Sequence, residues 1–211
     1  MTKKIFTTIL FFGALWGLLE ATLGYVLQFL PPLVSGSIMF PIGATVLLFA
    51  YTKTGTKWSA IYVGLIAATI KSVNFFMPGL LFIKTYNPMI AIMLQSLVMV
   101  AVFYALDRKK LPATIASLTL ASMAWRALFL ANISINHALT GFIFPQLANS
   151  SKMVEFVIYY GLMGALFASV LCFGFILIKK HSRIDFKPNL AVSLTLMMLA
   201  MTLTYYIQSL S

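Results

Sequence analysis

The stretch NPMIAIMLQSLVMVAVFYALDRKK, Asn87–Lys110, decides the fold. Between Pro88 and Asp107 only Gln95, Ser96 and Tyr104 carry a polar side-chain group, and Arg108, Lys109 and Lys110 follow at once. A run of about 20 apolar residues spans the hydrocarbon layer of a bilayer as a helix. Cations directly after such a run mark the cytoplasmic side. The same pattern repeats along the chain. Apolar segments are read at 5–30, 37–52, 57–77, 87–106, 111–131, 153–178 and 188–208. They are continuous rather than alternating, which predicts helices and not the strands of an outer-membrane barrel. Pro31-Pro32, Pro78, Pro88, Pro112 and Pro188 are read as segment edges, where proline punctuates helices. The second segment is short and carries Pro41. The connection 132–152 is the longest, and a re-entrant or interfacial piece is expected around Phe142–Pro145.

Composition agrees. Of 211 residues, 61% are hydrophobic and 9% charged, whereas soluble domains carry about 25% charged residues. So few charges cannot clothe a water-facing surface, and a mean hydropathy of +0.97 is incompatible with disorder. The expectation is an all-α, polytopic protein of six or seven transmembrane helices, one transmembrane domain over residues 1–211, in the cell membrane. There is no room for a soluble catalytic domain, so any ATPase must be another chain. The start, Met1–Lys4 before a long apolar run, imitates a signal peptide. The run continues through Trp16 and Val26 to Leu30, too long for a signal core, so a retained first helix is expected.

The net charge of +11 tests this layout. With the N-terminus inside, the inner loops hold Lys3, Lys4, Lys53, Lys57, Arg108, Lys109, Lys110, Lys179, Lys180, Arg183 and Lys187, and the outer loops only Lys84 and Lys152. That imbalance is the positive-inside pattern, and it makes nucleic acid an unnecessary explanation for the charge. Lys71 and Arg126 remain within spans.

Polar residues inside a bilayer must face one another or a cavity. At 1.5 Å rise per residue, Glu20, Lys71 and Arg126 each stand about 21–22 Å above the inner face, and Gln95 about 12 Å below the outer one. Asn74, Asn87, Asn132, Asn136, His137 and Glu155 fall near the outer ends. An outward pocket is expected, its ligand contacts drawn from Glu20, Lys71, Asn74, Gln95, Trp125, Arg126, Asn136 and His137. Trp125 would stack on a flat ring, and Lys71 and Arg126 would orient an anionic group. The bland alternative is a set of ion pairs and hydrogen bonds that only fixes helix packing, with Arg126 paired to Glu155 or drawn to the interface. Gly13-x3-Gly17-x2-Glu20 and Gly64-x3-Ala68-x2-Lys71 share one spacing and end in opposite charges. Two such stripes face to face would pair Glu20 with Lys71.

Other chemistry is thin. Cys172 is the lone cysteine, so neither a disulfide nor a cysteine-based zinc cluster is available. His137 has no second ligand nearby, His181 lies among inner-loop cations, and Met197, Met198 and Met201 read as lipid-facing or packing surface. No Walker A, Gly-x-Ser-x-Gly or His-Glu-x-x-His sequence occurs. No metal, cofactor or catalytic residue is expected.

The size, the basic inner loops, the outward polar band and the stretch Gly55-Thr56-Lys57-Trp58-x5-Gly64 together resemble the substrate-binding S components of energy-coupling factor transporters. The resemblance implies a membrane subunit that binds a micronutrient from outside, and a transmembrane coupling subunit with ATPases on separate chains. The family contacts that partner through an Ala-x3-Ala motif in its first helix. The nearest equivalent here is Gly13, Gly17 and Ala21, with glycine in place of alanine. The family mostly has six helices, so segment 188–208 would be an addition. Two other readings stay open: an intramembrane enzyme acting on lipid or peptide, and a structural or assembly protein without ligand.

Overall fold

The structure, a computed structural model, describes residues 2–108, 110–181 and 188–209. Of the inner-loop cations, Lys109, Arg183 and Lys187 lie outside the described residues, as do the side chains of Lys179, Lys180 and His181. The described residues are almost wholly helical and contain no strand. Eight α-helices succeed one another among them: α1 Lys3–Val26, α2 Pro32–Thr54, α3 Ser59–Lys71, α4 Phe82–Asp107, α5 Leu111–Thr140, α6 Ser150–Val154, α7 Tyr160–His181 and α8 Leu190–Ser209. A π-helical turn, Glu155–Tyr159, joins α6 to α7. Among the described residues, seven helical stretches are long and apolar enough to cross a membrane, so the chain is an all-α, multi-pass membrane protein.

Local sequence sets the ends. Thr2 caps α1 by accepting from the Ile5 amide, and Pro32 starts α2, where its missing N–H is harmless. Helices α2 and α5 both stop at a glycine with left-handed backbone, Gly55 at φ 69° and Gly141 at φ 70°, where a β-carbon would be strained. Two prolines fall inside helices. Pro41 lies within α2 and Pro88 within α4, so Pro88 is no segment edge. Helix α4 starts at Phe82, before the expected 87, and α5 runs to Thr140, past the expected 131. Beyond Gly141 the chain forms a short extended piece and a 3-10 turn, Pro145–Leu147.

Six helices close a ring in the order α1, α3, α4, α5, α7, α2 and back to α1, with α2 also reaching across to α3 and α4. The core is built on Trp16, Phe40, Leu47, Phe103 and Leu118. Helix α8 stands outside the ring, against α1 and α3. It is fixed there by Ala14, Ile70 and Ala200 and by the Ser193 hydroxyl on the Thr7 carbonyl at 3.2 Å. Lys3, Lys4, Lys53, Lys57, Arg108 and Lys110 all belong to one end of the bundle, by the alternation of helix direction. At that end the Lys57 amine pairs with Asp107 at 2.5 Å and lies over the Tyr104 ring, and the Tyr51 hydroxyl donates to the same carboxylate. The end of α2, the α2–α3 link and the end of α4 are thereby tied together.

The glycine stripe of α1 packs inside the chain. A β-carbon on Gly13 would lie 2.6 Å from Ile66 Cβ, and one on Gly17 2.6 Å from Ile70 Cδ1, both on α3. Ala21 is buried as well. Helix α3 therefore occupies the surface of α1 that Gly13 and Gly17 offer. The two small-residue stripes do not meet face to face, because Gly64 turns to α4, where a β-carbon would overlap the Ser96 side chain.

Candidate functional site

A cavity of about 380 Å³ lies within the ring at the end away from the lysine-rich one. Its walls combine helix ends that the sequence punctuates with positions in the middle of α4 and α5. The last two turns of α1 supply Glu20 and Gly24, and the first turns of α2 supply Ser35, Gly36 and Met39. Lys71 closes α3, while Lys84, Asn87 and Gln95 descend along α4. Trp125 and Phe129 come from α5, and Phe156 from the π-helical turn. Phe142, Phe144 and Gln146, from the connection between α5 and α6, complete it. The stretch around Phe142–Pro145, where a re-entrant or interfacial piece is expected, thus contributes to the wall.

Of the expected site residues, Glu20, Lys71, Gln95 and Trp125 line this cavity. Lys71 is 7% exposed, and Glu20 is half-buried. The two side chains feel each other's charge, yet no hydrogen bond and no ion pair within 4.0 Å joins them. The expected salt bridge is therefore not made. Gln95 and Gln146 are 4% and 8% exposed, and the carbonyl oxygen of each has no hydrogen-bond partner. Trp125 is not a free stacking platform: its ring already stacks with Phe40 at 6.1 Å and carries the Arg126 guanidinium at 4.5 Å.

Arg126 is fully buried behind that wall and is not one of the lining residues. One of its terminal nitrogens donates to the Ser122 carbonyl and hydroxyl at 2.8 and 2.9 Å, the other to the Ser37 hydroxyl at 3.0 Å. Those hydroxyls in turn donate to the carbonyls of Gly161 and Tyr160 on α7. Gly164 leaves room for the guanidinium, since a β-carbon there would lie 3.1 Å from it. Glu155 is instead paired with Lys152 at 2.6 Å. Arg126 so joins α2, α5 and α7 through serines and main-chain carbonyls, with its guanidinium over the ring of the lining residue Trp125.

The remaining three stand aside from the cavity. Asn74 is buried in the 3-10 turn after α3, with neither amide atom partnered. Asn136 and Asn132 both donate to Asn87 Oδ1, at 3.0 and 3.3 Å. His137 Nδ1 lies 2.9 Å from the carbonyl oxygen of Phe142, and so steadies the wall segment. Sequence reasoning did not single out Lys84, Gln146 or the phenylalanines. Lys84 reads as a loop residue only while α4 is started at 87. The one available signal for the others was the Phe142-x-Phe144-Pro145-Gln146 cluster in the longest connection. Neither a family model, nor a curated protein, nor a solved structure matches the chain.

Proposed function

We propose that the chain is a solute-binding membrane subunit for micronutrient uptake, of the energy-coupling factor S-component kind, taking its solute from the outer half of the bilayer. Energy would come from ATPases and a transmembrane coupling subunit on separate chains. The observation that carries this reading is the cavity at the end opposite the lysine-rich one, with buried polar atoms in its wall that lack partners. Lipid offers such atoms nothing, and a concave, mostly apolar wall with a few placed polar groups is the usual make-up of a small-molecule site. Its volume falls within the range of about 300–1,000 Å³ found for such sites. The other half of the bundle is filled by core side chains, where the void between Met99, Leu118 and Cys172 measures only about 10 Å³. A blind outward pocket over a sealed base supports capture rather than conduction.

Native mass spectrometry of the purified protein tests this. A small-molecule adduct is expected, and Gln95→Leu should lose it while the protein still inserts in the membrane. A preparation that carries no adduct, and that no solute from a growth-medium extract stabilises, would remove the basis of the reading.

A further inference from the structure

The cavity's charges do not suit a simple anion. Lys71 and Lys84 would attract one, but Glu20 shares the same space and would repel it. A simple cation meets the reverse problem. In an apolar surrounding, opposite charges gain most by closing on each other. Glu20 and Lys71 nevertheless line one space without a hydrogen bond between them. Asn87 Oδ1 is already taken by two amides, so it is no spare acceptor. Among the buried atoms of the lining residues, the acceptors without a partner are the Gln95 and Gln146 carbonyl oxygens.

Building on the solute-binding reading, we infer that the cavity takes an amino-acid-like zwitterion with a large apolar side group. An ammonium has three N–H donors, and Glu20, Gln95 and Gln146 are the acceptors for them. A carboxylate accepts from the amines of Lys71 and Lys84. The apolar side group lies against Phe129, Phe142, Phe144 and Phe156. One carboxylate against two amines in the wall admits a ligand of net charge zero or minus one.

The test uses the full chain in lipid nanodiscs and isothermal titration calorimetry. The probes are L-leucine, L-phenylalanine and L-tryptophan, each beside its N-acetyl derivative, which keeps only the anion, and its decarboxylated amine, which keeps only the cation. At least one amino acid is expected to bind, with both of its single-charge analogues weaker by about tenfold or more, since each leaves a buried group unpaired. Glu20→Gln should narrow the gap to the N-acetyl compound, and Lys84→Met, at an exposed position, the gap to the amine. Equal binding of the N-acetyl compound overturns the inference, and so does the absence of binding by all three amino acids. If either occurs while native mass spectrometry still shows a bound solute, the uptake reading stands and the zwitterion alone falls.

Discussion

Arg126 shows how far a single residue's role depends on what it touches. From sequence it is a cation at pocket depth; in the fold its two terminal nitrogens are taken by Ser37 and Ser122, and its buried Nε has no partner. A lysine offers one nitrogen and cannot span both hydroxyls. Arg126→Lys should therefore lose about 1.5–3 kcal/mol, the worth of one hydrogen bond to a charged group, read as a lower melting temperature in detergent. Because Ser37 also donates to α7, Arg126→Lys and Ser37→Ala should not add: a double-mutant cycle is expected to show coupling of at least about 0.5 kcal/mol. Strict additivity would mean that the serine does not relay the contact. Gly13 and Gly17 make a second contrast. The obstacle at Gly13 is the branch point of Ile66 with the Val63 carbonyl behind it, whereas at Gly17 it is first the tip of Ile70. Overpacking costs about 1–3 kcal/mol, so Gly13→Ala should fall in that range, and Gly17→Ala should cost less and be relieved by Ile70→Val. Equal losses at the two glycines would show that α1 and α3 yield as rigid bodies. Of this, only the neighbourhood of the two helices was legible beforehand. Matched spacing pointed from Gly13, Gly17 and Glu20 to the third helix, but that Ile66 and Ile70, rather than the Gly64 stripe, fill the gaps is a tertiary fact.

At the scale of the element, apolar length and the positive-inside pattern were enough to find every long helix, because a bilayer imposes both. The boundaries were less legible, and proline is the reason. In water a proline inside a helix is a strong stop; in a membrane protein neighbours can satisfy the freed carbonyl, so Pro41 and Pro88 sit within α2 and α4. Reading Pro88 as an edge hid the first turn of α4, and with it Lys84. The carbonyl of Lys84 is the one that residue 88 would bond in an unbroken helix, and both residues line the cavity. Pro88→Ala restores that bond. The amide gained at position 88 should be protected in hydrogen exchange, and the melting temperature should not fall. Rapid exchange at that position would indicate that another group already holds the Lys84 carbonyl.

At the scale of the whole molecule, the ring and the charge pattern describe one asymmetry. Among the described residues, the inner-loop cations Lys3, Lys4, Lys53, Lys57, Arg108 and Lys110 gather at the end where α2 stops, α3 starts and α4 stops, and the cavity opens at the other. Of the eight residues that the sequence put forward as ligand contacts, Glu20, Lys71, Gln95 and Trp125 line the cavity, so depth along the helices does not by itself define the site. Helical rise gives height, and Glu20, Lys71 and Gln95 share it; rotation about each helix decides who faces the cavity, and Arg126 and Asn136 do not. Helix α8 lies outside this asymmetry. It packs on α1, α3 and the 3-10 turn Ser72–Phe76 that follows α3, and the ring closes without it, so an odd number of spans leaves Ser209 at the end opposite Lys3. Orientation then follows from charge. A reporter fused after Lys110 or after Lys180 should read cytoplasmic, and one inserted at Gly79 or Gly141 should read external. Moving four of the inner-loop lysines to the loop around Gly79 should erode that assignment, because the lysine and arginine bias sets it. An external signal after Lys110 would place the lysine-rich end outside and turn the cavity's mouth to the cytoplasm. Uptake from outside would then lose its entrance, although the cavity itself would be unchanged.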